Sequence, residues 1–127
     1  MKYRILVVED NQPSRELLSD WLEVEGFDVV AAANLEQAFA VFKHHPPHAV
    51  LLDLQLGPED GLSLAKWVRE KPEFRHTPVI AVTANAMVIE QQRLMQAGCY
   101  ACASKPIDFC ALKKYLANCL PEVPFGA

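Results

Sequence analysis

Three acids stand where two apolar runs end: Glu9 and Asp10 after Ile5-Leu6-Val7-Val8, and Asp53 after Ala49-Val50-Leu51-Leu52. If these runs are neighbouring parallel strands, their carboxyl ends bring the three acids to one rim, where like charges do not gather without a cation. Carboxylate and carbonyl oxygens completed by water are the donor set that Mg²⁺ prefers. A carboxylate there is a competent nucleophile toward a phosphoryl group, because the metal neutralises the incoming oxygens. Thr83 follows the apolar run Val79 to Val82, and Lys105 follows Tyr100 to Ala103 and Ser104. Thr83 would donate a hydrogen bond to one phosphoryl oxygen, and Lys105 would bring a mobile point charge to another. Each residue alone has a plainer reading, Asp10 as a helix-start cap and Thr83 as a β-branched strand end. A carboxylate directly after four apolar residues, as at Asp53, must be paired, metal-bound or exposed at a rim. Taken together, the five residues favour chemistry.

The elements that must position them alternate five times between an apolar run and a helical pattern, which signals βα units and a parallel sheet with helices on both faces. The first unit is Tyr3 to Val8 and a helix opened by Asn11 and Pro13, buried through Leu17, Leu18, Trp21 and Leu22 and stopped by Gly26. The second is Asp28 to Ala32 and a helix with Asn34-x-x-Gln37 as a capping pair, apolar Ala38, Val41 and Phe42, and a stop at Pro46-Pro47. The third is Ala49 to Leu52, a loop holding Gly57, Pro58 and Gly61, and a helix through Leu62, Leu64, Ala65 and Val68. Val79 to Val82 leads to a helix from about Met87 to Ala97, closed by Gly98. A weak fifth strand, Tyr100 to Ala103, precedes a helix capped by Asp108 and apolar at Phe109, Leu112, Leu116 and Leu120. Residues 1–120 are expected to form one domain, with 121–127 as a tail or the start of a linker.

The 127 residues suffice for one buried core and not for two. With a net charge of −4 and twelve scattered Lys and Arg, no basic stripe offers itself to a nucleic-acid backbone, so direct nucleic-acid binding is not expected. No apolar stretch approaches the roughly 18 residues that span a bilayer, and Met1-Lys2-Tyr3-Arg4 runs straight into a strand, so a cytoplasmic protein without membrane contact is expected. Cys99 and Cys102 form a C-x-x-C, but it enters a strand and lacks further ligands at zinc spacing; the four cysteines read as reduced core thiols. His44-His45-Pro46-Pro47-His48 reads as a solvated helix end.

Glu9-Asp10, Asp53, Thr83-Ala84 and Lys105-Pro106, in this order and spacing, resemble the receiver domain of two-component response regulators, the CheY-like superfamily, over essentially the whole chain. The resemblance implies a flavodoxin-like, doubly wound (βα)5 fold with strand order 2-1-3-4-5. It implies a regulatory domain rather than an enzyme, with only self-phosphorylation and autodephosphorylation dependent on Mg²⁺, for which Mn²⁺ can substitute. Phosphate would pass to Asp53 from a sensor histidine kinase or a histidine phosphotransfer protein. Asp10 and Asp53 would ligate the metal, with Glu9 acting directly or through water and the backbone carbonyl of Gln55 as a further ligand. The Lys105-Pro106 bond would be cis, aiming the ammonium at the phosphoryl group. An output partner or domain would respond to the face of helix 4, strand 5 and helix 5, about Met87 to Cys119, and the chain would be a monomer or a weak homodimer.

The sequence departs from that family at Cys102, where receivers usually carry the Tyr or Phe that swings inward as the threonine moves. Tyr100 lies one pleat too far back to replace it. The Thr83 relay through Cys102 to Pro106 is therefore expected to be weakened or replaced by a rearrangement of helix 4. Gly57 stands where the family commonly has Pro, which suggests a looser loop, while Gln55 and Asn85 resemble the positions that tune water access to the phosphoryl group. Two rival readings keep the α/β fold. A dehalogenase-like phosphatase would need a second Asp at position 55, where this chain has Gln55. A flavin carrier would need a phosphate-cradling loop where Glu9-Asp10-Asn11 stands.

Overall fold

A computed structural model describes residues 3–84 and 88–120. Its elements are β1 (Arg4–Val8), α1 (Gln12–Val24), β2 (Asp28–Ala32), α2 (Leu35–His44), β3 (Ala49–Asp53), β4 (Gln55–Leu56), β5 (Glu59–Asp60), α3 (Leu62–Glu70), β6 (Val79–Thr83), α4 (Val88–Gln96), β7 (Ala101–Ser104) and α5 (Phe109–Cys119). The main sheet is parallel with order β2-β1-β3-β6-β7. That is the expected 2-1-3-4-5 arrangement, with the short β4-β5 pair inserted as a separate antiparallel hairpin. Asn85, the expected helix start at Met87 and the tail 121–127 lie outside the described residues.

Both faces of the sheet are buried, and alternate residues of each strand divide between them. Leu6, Val8, Val50, Leu52 and Ala81 pack under α2, α3 and α4, while Ile5, Val7, Leu51 and Ile80 pack under α1 and α5. Each fully buried Leu or Ile contributes roughly 1.5–3 kcal/mol by leaving water. At the amino end of the strands, Phe42 packs against Trp67 and Phe74 at ring separations of 5.4 and 5.0 Å, and Phe39 adds a further edge contact to Trp67.

The caps hold the helices in place. Asn11 accepts from the Ser14 N–H, and Asn34 from the Gln37 N–H, while Gln37 reaches back to the Ala33 N–H. Asp108 accepts from Cys110 and Ala111 at the start of α5. Gly26 and Gly98 have φ of 97° and 99° after α1 and α4. At each, the next residue's N–H reaches back to a buried Leu carbonyl, Phe27 to Leu22 and Cys99 to Leu94, so a left-handed glycine ends the helix.

Several expectations give way to the structure, the burial of all four cysteines among them, since Cys110 is exposed at the start of α5. Leu17 is 59% exposed, because α1 turns Leu18 and Leu22 inward and leaves Leu17 about 100° around the helix. The fifth strand begins at Ala101, and Tyr100 is a bend before it, 41% exposed. The loop after Asp53 carries a hairpin, too short to leave a periodic trace. His44 and His45 are exposed, but His48 accepts from the Arg4 N–H at 2.8 Å and meets the Tyr3 ring edge-on, extending the β1-β3 ladder.

Candidate functional site

The carboxyl ends of β1, β3, β6 and β7 bring together Glu9, Asp10, Asp53, Thr83 and Lys105. Asp53 is the last residue of β3, only 3% exposed, and Glu9 and Thr83 are buried beside it. The Leu54 N–H donates to the Val82 carbonyl and the Lys105 N–H to the Thr83 carbonyl, so the site rides on the final rungs of the sheet.

Asp53 has a partner at each oxygen. Its Oδ1 accepts from the Gln55 N–H at 2.9 Å, and its Oδ2 accepts from the Lys105 ammonium at 2.8 Å. Lys105 also lies 3.5 Å from Glu9 Oε2, and the Lys105-Pro106 peptide is cis. The other Glu9 oxygen, Oε1, accepts from the Asn11 N–H. Burial, then the hydrogen bond to Asp53, pushes the Glu9 carboxyl up to about 7, against the pull of Asn11 and Lys105. Burial alone would lower the Lys105 ammonium, but its hydrogen bond to Asp53 and the charges of Asp53 and Glu9 hold it above its usual value.

Glu9, Asp10 and Asp53 each offer a carboxylate oxygen within 4.8 Å of the others. Three hard oxygen donors this close, one held by burial near neutrality, fit a small divalent cation. Gln55 follows at the start of β4, two residues past the end of β3. Cys102 lies half-buried on β7, opposite Ala81 in the ladder, packed against the core that holds Cys99.

Arg15 was not among the expected residues. Its guanidinium donates to the Glu9 carbonyl at 3.0 Å and the Asp10 carbonyl at 3.4 Å, steadying the acidic loop. A cation one turn into the helix just after two acids is the signal that would have found it. Beside Lys105, Ser14, Leu17, Leu18, Pro106, Ile107 and Phe109 line a groove of about 290 Å³ that opens onto Glu9.

Comparison with known proteins agrees with this geometry. The family described as the response regulator receiver domain matches residues 5–117. The polar-differentiation response regulator DivK of Brucella anthropi is 39% identical over 108 residues, 85% of this chain and 88% of its own. A putative response regulator from Chloroflexus aurantiacus superposes with a TM-score of 0.89 at 27% identity, covering 96% of this chain and all of that one. The receiver domain of Ssk1 from Saccharomyces cerevisiae, solved with the histidine phosphotransfer protein Ypd1, gives a TM-score of 0.82 at 25% identity, over 91% of this chain and 87% of the other.

Proposed function

Because the chain belongs to the response regulator receiver domain family and works in two-component phosphorelay signalling, we propose that Asp53 is its phosphoacceptor, assisted by Lys105 and Thr83. The carrying observation is the pairing of the buried Asp53 with Lys105 at 2.8 Å beside two further acids. An Asp53 oxygen attacks the phosphorus of a phosphohistidine, the P–N bond breaks, and the departing imidazole nitrogen keeps the electron pair and is protonated from water. Glu9, Asp10, Asp53 and the Gln55 carbonyl would hold Mg²⁺ or Mn²⁺, which supplies charge neutralisation at the phosphoryl oxygens. The Lys105 ammonium moves from the carboxylate it now pairs with to a phosphoryl oxygen, and Thr83, one strand over, donates its hydroxyl to another.

Receiver domains are regulatory rather than classical enzymes, and the dehalogenase-like alternative finds no support. Self-phosphorylation from a small acyl phosphate is part of the proposal and gives its test. Intact mass after treatment with acetyl phosphate and Mg²⁺ is expected to rise by one phosphoryl group and to stay unchanged in Asp53→Asn. No gain in the unsubstituted chain, or a gain surviving Asp53→Asn, overturns the assignment.

The donor would be a histidine kinase or histidine phosphotransfer protein, the class the yeast complex contains. Leu17, exposed on the groove that runs to Lys105, supports docking there, since a protein-borne phosphohistidine must approach Asp53 from the rim. For output, Cys102 leaves a small thiol where an aromatic ring would move, so α4 carries the response. A Cys102→Tyr variant whose phosphorylation-dependent partner binding is unchanged would sink the claim that this position limits the signal. Among the described residues no helix is long and apolar enough to cross a membrane.

A further inference from the structure

Gly61 opens α3 with φ −57° and ψ −26°, a conformation any residue adopts, so backbone freedom does not explain a glycine there. Space does. A Cβ at Gly61 would stand 2.7 Å from the Asp53 carbonyl oxygen, 3.2 Å from Leu54 Cα and 3.4 Å from Leu52 Cδ1. The two nearest atoms belong to the backbone at the end of β3, and neither yields as a flexible side-chain tip would. From these contacts we infer that Gly61 is a positioning residue for phosphoryl transfer: the missing side chain lets the start of α3 abut the peptide of Asp53 and fixes where the acceptor carboxylate stands.

The same short stretch of backbone sets several distances at once. The Leu54 N–H is bonded to Val82, the Gln55 N–H to Asp53 Oδ1, and the Lys105 ammonium to Asp53 Oδ2. Relieving a 2.7 Å contact means moving either the first turn of α3 or the Asp53 peptide by several tenths of an ångström. The first turn of α3 is tied on its other side, where Asp60 accepts from the Leu62 N–H and the Leu64 N–H reaches the Gly61 carbonyl. Leu62, Leu64, Ala65 and Val68 bury the helix itself. A side chain at Gly61 therefore presses on the Asp53 peptide, and any shift of that peptide changes the distances from its carboxylate to Lys105, Glu9 and Asp10. Displacements of this size at reacting atoms lower rates far more than they lower stability.

The inference rests on Asp53 being the acceptor, and its test separates the two. Gly61→Ala is compared with Gly26→Ala, which places a side chain at φ 97° with nothing within 4 Å and so loses stability far from the site. Two quantities are measured on each chain: the rate of phosphorylation by acetyl phosphate at saturating Mg²⁺, and Mn²⁺ affinity from the paramagnetic resonance of the free ion. Gly61→Ala is expected to lower the rate by about tenfold or more and to weaken Mn²⁺ binding, with Gly26→Ala within about twofold of the unsubstituted chain in both. Gly61→Ala matching the unsubstituted chain, or Gly26→Ala losing as much, overturns it. If Gly61→Ala folds poorly, both measurements are repeated in trimethylamine N-oxide, which favours the compact state. A chain that stays unfolded there also overturns the inference, because the damage is then global. Mn²⁺ binding is read without phosphate, so failure of Asp53 to be phosphorylated would leave that arm of the comparison intact.

Discussion

The two ends of the central sheet solve opposite problems. At the amino end of the strands, Phe39, Phe42, Trp67 and Phe74 close the core ring against ring, and every contact lowers the free energy of the folded chain. At the carboxyl end, Glu9 and Asp53 are held together in a buried rim, and their mutual repulsion is offset by Lys105 and backbone N–H groups. One end holds the fold together, and the other holds charge ready for a ligand. The difference teaches that stability and chemistry occupy separate ends here, so substitutions should divide the same way.

The largest expected effect tests the aromatic end. Phe42→Ala, at a fully buried position, is expected to cost about 3–5 kcal/mol in urea unfolding, while Asp53 still takes phosphate from acetyl phosphate at low temperature. Loss of phosphorylation in the folded fraction would break the contrast. Next in size, Glu9→Gln removes one of the crowded charges. Stability in metal-free buffer is expected to hold or to rise by about 1 kcal/mol, while Mg²⁺ affinity falls, as calorimetry would show. A clear loss of stability would mean that the acidic rim also supports the fold.

A smaller effect is expected at the groove. Leu17→Asp should leave stability within about 0.5 kcal/mol, since the side chain is already in water. Transfer from a phosphorylated histidine phosphotransfer protein should slow by about tenfold, with acetyl phosphate unaffected. Equal slowing with both donors would place Leu17 in the chemistry rather than in docking.

The smallest effect sharpens the contrast through the thiols. Burial, with the charge of Cys102 adding to it, pushes Cys99 up to about 11, and burial pushes Cys119 up to about 11, whereas Cys110 at the start of α5 is exposed. A raised thiol pKa favours the neutral form, so at pH 8 only on the order of 0.1% of Cys99 or Cys119 is the reactive thiolate. Peptide mapping after brief iodoacetamide treatment should find Cys110 modified first, with labelling of Cys99 and Cys119 rising only as pH climbs toward 11.

Much of this was legible in the sequence because parallel strands write themselves as apolar runs, and each site residue marks the end of one. Asp53, Thr83 and Lys105 stand out as the polar residues at or just past the carboxyl end of a run, and Asn11, Asn34 and Asp108 by their capping chemistry. Leu17 was misplaced because position on a helix fixes an angle and not a neighbour, and whether that angle meets α5 or water is a tertiary matter. His48 was hidden by its company, since two exposed histidines precede it. The hairpin at Gln55–Leu56 and Glu59–Asp60 escaped because two-residue strands show no alternation. Gly61 could be read as a loop glycine, but its 2.7 Å approach to Asp53 exists only once α3 is folded against β3.

The rungs from Leu54 to Val82 and from Lys105 to Thr83 give the site a clock. Amide protons at Leu54 and Lys105 can exchange with solvent only when those last cross-strand bonds open, the first joining the central strands β3 and β6 and the second joining β6 to the edge strand β7. Exchange at these two amides therefore reports how often the candidate acceptor and the lysine beside it lose their alignment, and it is expected to be faster at Lys105, on the edge strand, than at Leu54.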